Sequence, residues 1–435
     1  MTYELRQEGN IMKTVEESLA RILDFVTPLG VEKIPLTECL HRVLAEDAYS
    51  TRHIPPRDNS AMDGYAVKYR DLRNASPESP AVLCSVEEIP AGSSPGKRIG
   101  AGEAARIMTG APVPNGADAV IKIEDVDVED DRVRCFTPVE EGENVRKRGE
   151  DVIEGEAVIA AGTYIQPAHM GMLAATGHAL VSVYKRPLVA IIATGDEIID
   201  IDGDPSSEKI ISSNSYSLYG QIIEVGGIPL PLGIARDTKK DLMSHFAMAK
   251  ERAQVVISSG GVSMGDYDLV QDVLMELGAR VEFETVAQRP GKPFTFATTE
   301  TIPFFGLPGN PVSTMISFEQ YVRPALRKMT GHKMLFRRTV RAVLDENITK
   351  KSDLTYFIRG KASWRDGSFT VVTTGEQGSG ILKSMVLANV IIVLPRGMTH
   401  ARRGDEVTVQ LIDNSILSAA APGYLAAWPW KGSSS

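Results

Sequence analysis

The run QVVISSGGVSMGDYDL at residues 254–269 leaves this chain few choices of fold. Three β-branched residues, Val255, Val256 and Ile257, form a short apolar run cut off by Gly260 and Gly261. Such a run reads as a strand buried on both faces, the kind found in parallel sheets. The periodic stretch 268–277 that follows, closed by Gly278, reads as a helix. The same unit recurs on either side. Strands are expected at 188–193, 229–234, 254–259 and 280–284, with helices at 214–225, 238–252, 268–277 and 312–329. A hairpin is expected from 294–297 and 302–305. This alternation predicts an open, mostly parallel α/β sheet covered on both faces.

The flanking regions have other periods. Residues 14–26 predict an amphipathic helix, opened by a capping box of Thr14 and Glu17. A second helical segment is expected near 37–45. The segment IPPRDNSAMDGYAV at 54–67 predicts a polar, turn-rich loop carrying Asp58, Ser60 and Asp63. Short strands between Gly/Pro turns over 81–136 predict a small β-rich domain. Residues 142–151 set Arg146, Lys147 and Arg148 beside Glu150 and Asp151, a solvated charge run or an anion contact. After Gly331 the pattern is strands only, which predicts a small β-barrel or sandwich. The tail 419–435 is expected to be loosely ordered. The length of 435 residues calls for about two to four domains.

A net charge of −9 argues against nucleic acid or an anionic membrane as the main partner. No apolar run is long enough to span a bilayer, and the N-terminus reads as having no leader. The three cysteines, Cys39, Cys84 and Cys135, have no metal-ligand spacing and suit a reducing cytosol. In an open parallel sheet, ligands bind outside the carboxyl ends of the strands. Five polar loops converge there: 194–197 with Glu197, 236–237 with Asp237, 258–268 with Ser258, Gly260, Gly261, Asp266 and Asp268, 288–293 with Arg289 and Lys292, and 306–313 with Pro308 and Asn310. Glycine turns opening a helix suit a phosphate-like anion, and carboxylates beside such an anion require a cation between them. Mg²⁺ is the expected cation, because it takes oxygen ligands and bridges to phosphate. No histidine lies in these loops. The glycine turns lack a dinucleotide fingerprint and a Walker lysine. The residues themselves predict a metal-assisted transferase or hydrolase acting on a phosphorylated small molecule.

Six motifs carry a resemblance: DNSAMDGYAV (58–67), RIMTGAPVP (106–114), ATGDE (193–197), SSGGVSMGDYD (258–268), QRPGKPF (288–294) and GLPGNPVS (306–313). With them the chain resembles the MoeA family of molybdopterin molybdenumtransferases, which also supplies the C-terminal domain of gephyrin. The resemblance implies four domains: an elongated N-terminal domain (1–46 and 150–186), an inserted β-rich domain (47–149), an α/β domain (187–331) and a C-terminal β-barrel (332–418). It implies a cytoplasmic homodimer that inserts molybdenum from molybdate into adenylylated molybdopterin, cleaving the pyrophosphate link and releasing AMP, with Mg²⁺ or Zn²⁺. Other molybdenum-cofactor biosynthesis proteins are implied as partners. Carried over by motif, Asp63, Glu197, Asp237 and Asp268 are the catalytic positions, and the last three also hold the metal. Thr109, Asp151, Ser258, Gly260, Gly261, Pro308 and Asn310 bind substrate. Arg289, Lys292, Arg359 and Ser379 face molybdate or substrate oxyanions. Two positions depart from the pattern: Arg289 stands where lysine is common, and Gly380 where a histidine sometimes follows the serine. Two other readings stay open: a molybdopterin adenylyltransferase, which shares the α/β domain, and a non-catalytic gephyrin-like scaffold.

Overall fold

The computed structural model describes residues 12–204, 208–261, 267–365, 367–413, 416 and 418, without the side chains of Tyr267, Asp268 and Arg365. The tail 419–435 and Asp266 lie outside the described residues. The chain divides into two units, one of residues 33–183 and one combining the N-terminal residues up to 32 with those from 184 onward.

The second unit contains the α/β sheet. Its elements are β1 (Leu188–Thr194), α1 (Ser213–Glu224), β2 (Ile228–Ala235), α2 (Lys239–Arg252), β3 (Val255–Ser259), α3 (Tyr267–Glu276), β4 (Arg280–Thr285), β5 (Pro293–Thr298) and β6 (Pro303–Leu307). The strand order is β2-β1-β3-β6-β5-β4. β1 pairs in parallel with both β2 and β3, and β3 with β6, while β5 runs antiparallel to β4 and β6. Both faces are covered, and β1 shows why its sequence is apolar from Leu188 to Ala193. Val189 and Ile191 join a core with Leu218 and Ile222 of α1. Their neighbours Ala190 and Ile192 join a second core with Phe246 of α2 and Val273 of α3. Alternate side chains of a strand point to opposite faces, so a strand with two covered faces has no polar position.

The stretch 311–329 is helical throughout, with a π-helical turn at Phe318–Val322 between Pro311–Ser317 and Arg323–Met329. Against it packs the N-terminal helix Val15–Phe25, whose Val15 and Ile22 enter the same core. Thr14 caps that helix: its Oγ1 accepts from Glu17 N at 3.2 Å, and Glu17 Oε2 accepts from Thr14 N at 2.8 Å.

Beyond residue 331 come β7 (Thr339–Leu344), β8 (Thr355–Arg365), β9 (Ser368–Thr373), β10 (Val390–Leu394) and β11 (Glu406–Leu411). They close into a five-stranded barrel in the order β8-β9-β7-β11-β10, with β10 pairing back onto β8. The short strand Gln288–Arg289 adds to β8 in parallel, joining the barrel to the α/β sheet.

The unit 33–183 holds a six-stranded mixed sheet. Next to its edge, the strand Gly64–Val67 lies between the edge strand Ala119–Lys122 and Glu103–Ile107. The helix expected near 37–45 does not form. A 3-10 turn at Leu36–Glu38 is followed by His41 in the left-handed region (φ 64°). The backbone N–H groups of His41, Leu44 and Ala45 donate instead to the carbonyls of Ile165, Thr163 and Ser182. Val43 and Leu44 are both 2% exposed, and burial of consecutive apolar residues against different partners overrides helical spacing here. Among the described residues no helix is long and apolar enough to cross a membrane.

Replacing Thr14 with alanine removes the helix cap, at a cost of about 1 kcal/mol. Hydrogen exchange should show amide protection across Val15–Phe25 falling about fivefold. Unaltered protection would mean that packing alone holds this helix.

Candidate functional site

The chain leaves β1 for β2 on one side and reaches β3 on the other, so the carboxyl ends of β1 and β3 flank the topological switch point of the sheet. The loops there approach closely. A Cβ at Gly260 (φ 99°) would sit 2.4 Å from the Thr194 carbonyl oxygen, and one at Gly261 (φ 65°) 2.8 Å from Thr194 Oγ1. Only glycine permits both the backbone angle and the approach. Gly260 N donates to Leu307 O at 3.1 Å, which ties the turn to the end of β6. Asn214, in the first turn of α1, donates from Nδ2 to Ser259 Oγ at 2.7 Å and to Gly309 O at 2.8 Å. The ends of β1, β3 and β6 and the start of α1 therefore meet in one place. Ser258 is 2% exposed, Pro308 is buried, and Asn310 is exposed at the start of the 311–329 helix, making no side-chain cap bond. Thr194 Oγ1 and Asn214 Oδ1 are buried without a partner among the described residues. Buried polar atoms left unsatisfied are costly, and a polar ligand at the switch point would relieve them.

The acids lie one strand over. Asp196 N donates to Asp237 Oδ2 at 3.3 Å, and Asp237 N returns a bond to Asp196 Oδ1 at 3.3 Å. The cause is register: Thr194 pairs with Ala235, so the residues two further along fall side by side. Sequence reasoning placed Asp196 in this loop but gave the role to Glu197. The signal that singles out Asp196 is the equal distance of both aspartates from the ends of paired strands. Glu197 is exposed, with its carboxylate folded over Gly195, where a Cβ would lie 2.6 Å from Oε2. Asp268 stands in the first turn of α3, but its side chain is outside the described residues. Among the described residues no three His, Cys, Asp or Glu side chains converge as a metal cage. The neighbouring Asp196 and Asp237 suit Mg²⁺ by donor type nonetheless, since that ion is commonly held by one or two carboxylates plus substrate phosphates.

A pocket of about 300 Å³ opens where the barrel meets the Arg289 loop, lined by Arg289, Tyr356, Arg359, Lys351, Gln377 and Gly378 among others. Arg359, on β8, is 1% exposed. Its Nε donates to Ser384 Oγ at 3.0 Å and its Nη2 to Gly378 O at 3.1 Å. It has no carboxylate partner among the described residues. Burial pulls the guanidinium down to about 10, which still leaves it cationic at neutral pH. A buried cation without a counter-charge is expensive, so this pocket seeks an anion. The Arg289 guanidinium lies 5.7 Å over the Tyr356 ring, a second cation facing the same space. Lys292 is exposed on the same loop. Ser379 is half-buried, and its carbonyl accepts from Val312 N at 3.1 Å, tying a barrel loop to the 311–329 helix. Arg289 and Arg359 thus share a pocket, while Lys292 and Ser379 are not among its lining.

The unit 33–183 carries a separate polar cluster. Asp63 Oδ1 accepts from Thr109 N and from Thr109 Oγ1, both at 2.7 Å. The Thr109 N–H, then its hydroxyl, hold the Asp63 carboxyl below its ordinary value. Asp151 is exposed and makes no ion pair with Arg146 or Arg148 among the described residues. The basic run instead meets Asp58, which takes Lys147 Nζ at 3.1 Å and Arg148 N at 2.8 Å.

Comparison with known proteins gives matches along nearly the whole chain. Family models match for the MoeA N-terminal region (domain I and II) over residues 13–177, a probable molybdopterin binding domain over 190–328, and the MoeA C-terminal region (domain IV) over 341–412. A molybdopterin molybdenumtransferase from Staphylococcus aureus (strain MSSA476) is 35% identical over 403 residues, 92% of this chain and 96% of that one. Another, from Bacillus subtilis (strain 168), is 34% identical over 424 residues, 96% of each. The crystal structure of a molybdopterin biosynthesis moeA protein from Pyrococcus horikoshii OT3 superimposes with a TM-score of 0.78 at 32% identity, covering 92% of this chain and all of that one.

Thr109→Val deletes one of the two donors to Asp63 and keeps the backbone N–H, the larger cause. Carboxyl NMR titration should show the Asp63 pKa rising toward, but not reaching, the ordinary aspartate value. An unchanged pKa would show that the hydroxyl contributes nothing.

Proposed function

The chain belongs to the MoeA family of molybdopterin molybdenumtransferases, and on that premise we propose that it performs the metal-insertion step of molybdenum cofactor biosynthesis. In this reading adenylylated molybdopterin and molybdate are the substrates. The pyrophosphate link is cleaved, AMP leaves, and molybdenum enters the dithiolene. The observation that carries the proposal is the buried Arg359, without a carboxylate partner among the described residues, beside Arg289 in one pocket, because molybdate is a tetrahedral dianion that charged donors in a partly buried pocket would hold. Lys292 and Ser379 stand close in sequence to that pocket's residues and would complete the grip.

The turns at Ser258, Gly260, Gly261, Pro308 and Asn310 would take the phosphate and pterin side of the other substrate, with the unpartnered Thr194 Oγ1 and Asn214 Oδ1 as further contacts. Asp196, Glu197, Asp237 and Asp268 would hold the divalent cation. Bound there, it would neutralise the pyrophosphate charge. An all-oxygen donor set favours Mg²⁺ over Zn²⁺, which more often takes nitrogen or sulfur. Asp63, Thr109 and Asp151 would be further substrate-binding or catalytic residues, and their motif match is the support. The homodimer, the cytoplasmic location and the association with other molybdenum-cofactor biosynthesis proteins belong to the same proposal, and family membership is their support.

The test is a conversion assay with purified protein, adenylylated molybdopterin, molybdate and Mg²⁺, following AMP by chromatography. AMP release should depend on molybdate, stop on chelation and resume with Mg²⁺. Arg359→Ala should raise the KM for molybdate roughly 10- to 100-fold, the loss of charge-assisted hydrogen bonds of about 1.5–3 kcal/mol. AMP release no greater than that of an Asp237→Ala control would sink the proposal.

A further inference from the structure

The loop that carries Arg289 and Lys292 is built around a buried side-chain amide that none of the site residues above includes. Gln288 is 0% exposed. Its Nε2 donates to Pro290 O at 3.1 Å and to Gly291 O at 3.2 Å, so one amide satisfies both inward carbonyls of the turn. Its Oε1 accepts from the hydroxyl of Tyr321, also 0% exposed, in the π-helical turn of the 311–329 helix. Tyr321 is held by its own packing, with its ring 4.6 Å from that of Phe294 on β5. Gly291 (φ 86°) closes the turn, and a Cβ there would lie 2.5 Å from Ser317 Oγ and 2.7 Å from Gln288 Nε2. The loop is therefore clamped from inside on the helix, while Arg289 and Lys292 face outward, exposed.

The hydrogen bonds have a direction. Burial raises the Tyr321 phenol well above its ordinary value, so it stays protonated and donates. That donation fixes the amide: Oε1 must face Tyr321 and Nε2 must face the loop. A flipped amide would set its oxygen against two carbonyls and leave the phenol proton unmatched, a costly arrangement in a dry interior.

We propose that Gln288 and Tyr321 are positioning residues, a buried relay that fixes the Arg289–Lys292 loop in the geometry that grips a tetrahedral oxyanion. The inference rests on the reading of that loop as the molybdate side of the site. Neither residue touches substrate. The 311–329 helix spans both ends of this arrangement: Tyr321 holds the Arg289 loop, and Val312 N holds Ser379 O on the barrel side.

The test is steady-state kinetics of the full-length protein with molybdate and adenylylated molybdopterin varied in turn. Tyr321→Phe removes only the donated hydroxyl. It should raise the KM for molybdate roughly five- to tenfold, the worth of one buried hydrogen bond, with kcat and the KM for the pterin substrate within about twofold. Gln288→Glu keeps the shape but places an oxygen against the two carbonyls, and should act in the same direction and more strongly. In an Arg289→Ala, Lys292→Ala background, Tyr321→Phe should no longer change the KM for molybdate, since the side chains it positions are gone. A merely structural role would lower both substrates' affinities together and keep its effect in that background, and either result overturns the relay. Where Gln288→Glu does not fold, Tyr321→Phe and its double-mutant comparison decide. Wild-type protein without molybdate-dependent turnover overturns the functional reading and the relay with it. Wild-type turnover with an unchanged KM in Tyr321→Phe overturns the relay alone.

Discussion

β1 lies in the middle of the parallel part of its sheet, hydrogen-bonded to β2 on one side and to β3 on the other, and the site depends on that double pairing. The first partner brings Asp237 beside Asp196, and the second brings Gly260 against the Thr194 carbonyl. A parallel strand cannot return by a tight turn, so the connections from β1 to β2, β2 to β3 and β3 to β4 each cross through a helix, and the loops that follow β1, β2 and β3 emerge at the same edge. The chemistry gathers there because the pairing leaves it nowhere else to go.

Within that unit the charges are sorted. The carboxylates sit on loops that leave β1 and β2, and the cations sit on the Arg289 loop and on β8 of the barrel. One phosphorylated substrate needs both kinds of group, yet side by side they would neutralise each other and bind nothing. Placing them on different elements keeps each set available. The short strand Gln288–Arg289, paired onto β8, lets a residue of the α/β sheet and a residue of the barrel line a single pocket.

Much of this was legible before the structure. Apolar runs at 188–193 and 254–259 read as strands buried on both faces, and the glycine pair after the second as a strand-to-helix turn; its close approach to Thr194 is seen only in the structure. What was hidden depends on contacts distant in sequence. The 37–45 segment has helical spacing but yields its N–H groups to residues 163–182. The pairing of Asp196 with Asp237 follows from strand register, which sequence does not state. Barrel closure turns on β8, whose residues 356–360 pair with β10 and whose residues 360–365 pair with β9. Gly360 stands at the changeover, where a Cβ would lie 2.9 Å from Ile392. A single long strand serving two neighbours in succession looks, in sequence, like any other strand.

The treatment of buried arginines within this one chain argues that Arg359 is exceptional. Arg323 and Arg337 are also largely buried, on and after the 311–329 helix, and both are matched by acids. Glu319 lies 2.7 Å from Arg337 Nε and 3.2 Å from Arg323 Nε, and Glu224 Oε1 lies 2.7 Å from Arg337 Nη2. Two guanidinium groups face two carboxylates, the arrangement expected where a buried charge only has to be tolerated. Arg359 is more deeply buried than either and receives a hydroxyl and a carbonyl, both neutral. Those two partners orient the guanidinium without cancelling its charge. An acid there would stabilise the protein and abolish the pocket's attraction for an anion. A fold that matches Arg323 and Arg337 with acids and leaves Arg359 with none among the described residues carries the cost of a buried charge at the position where an oxyanion would need it.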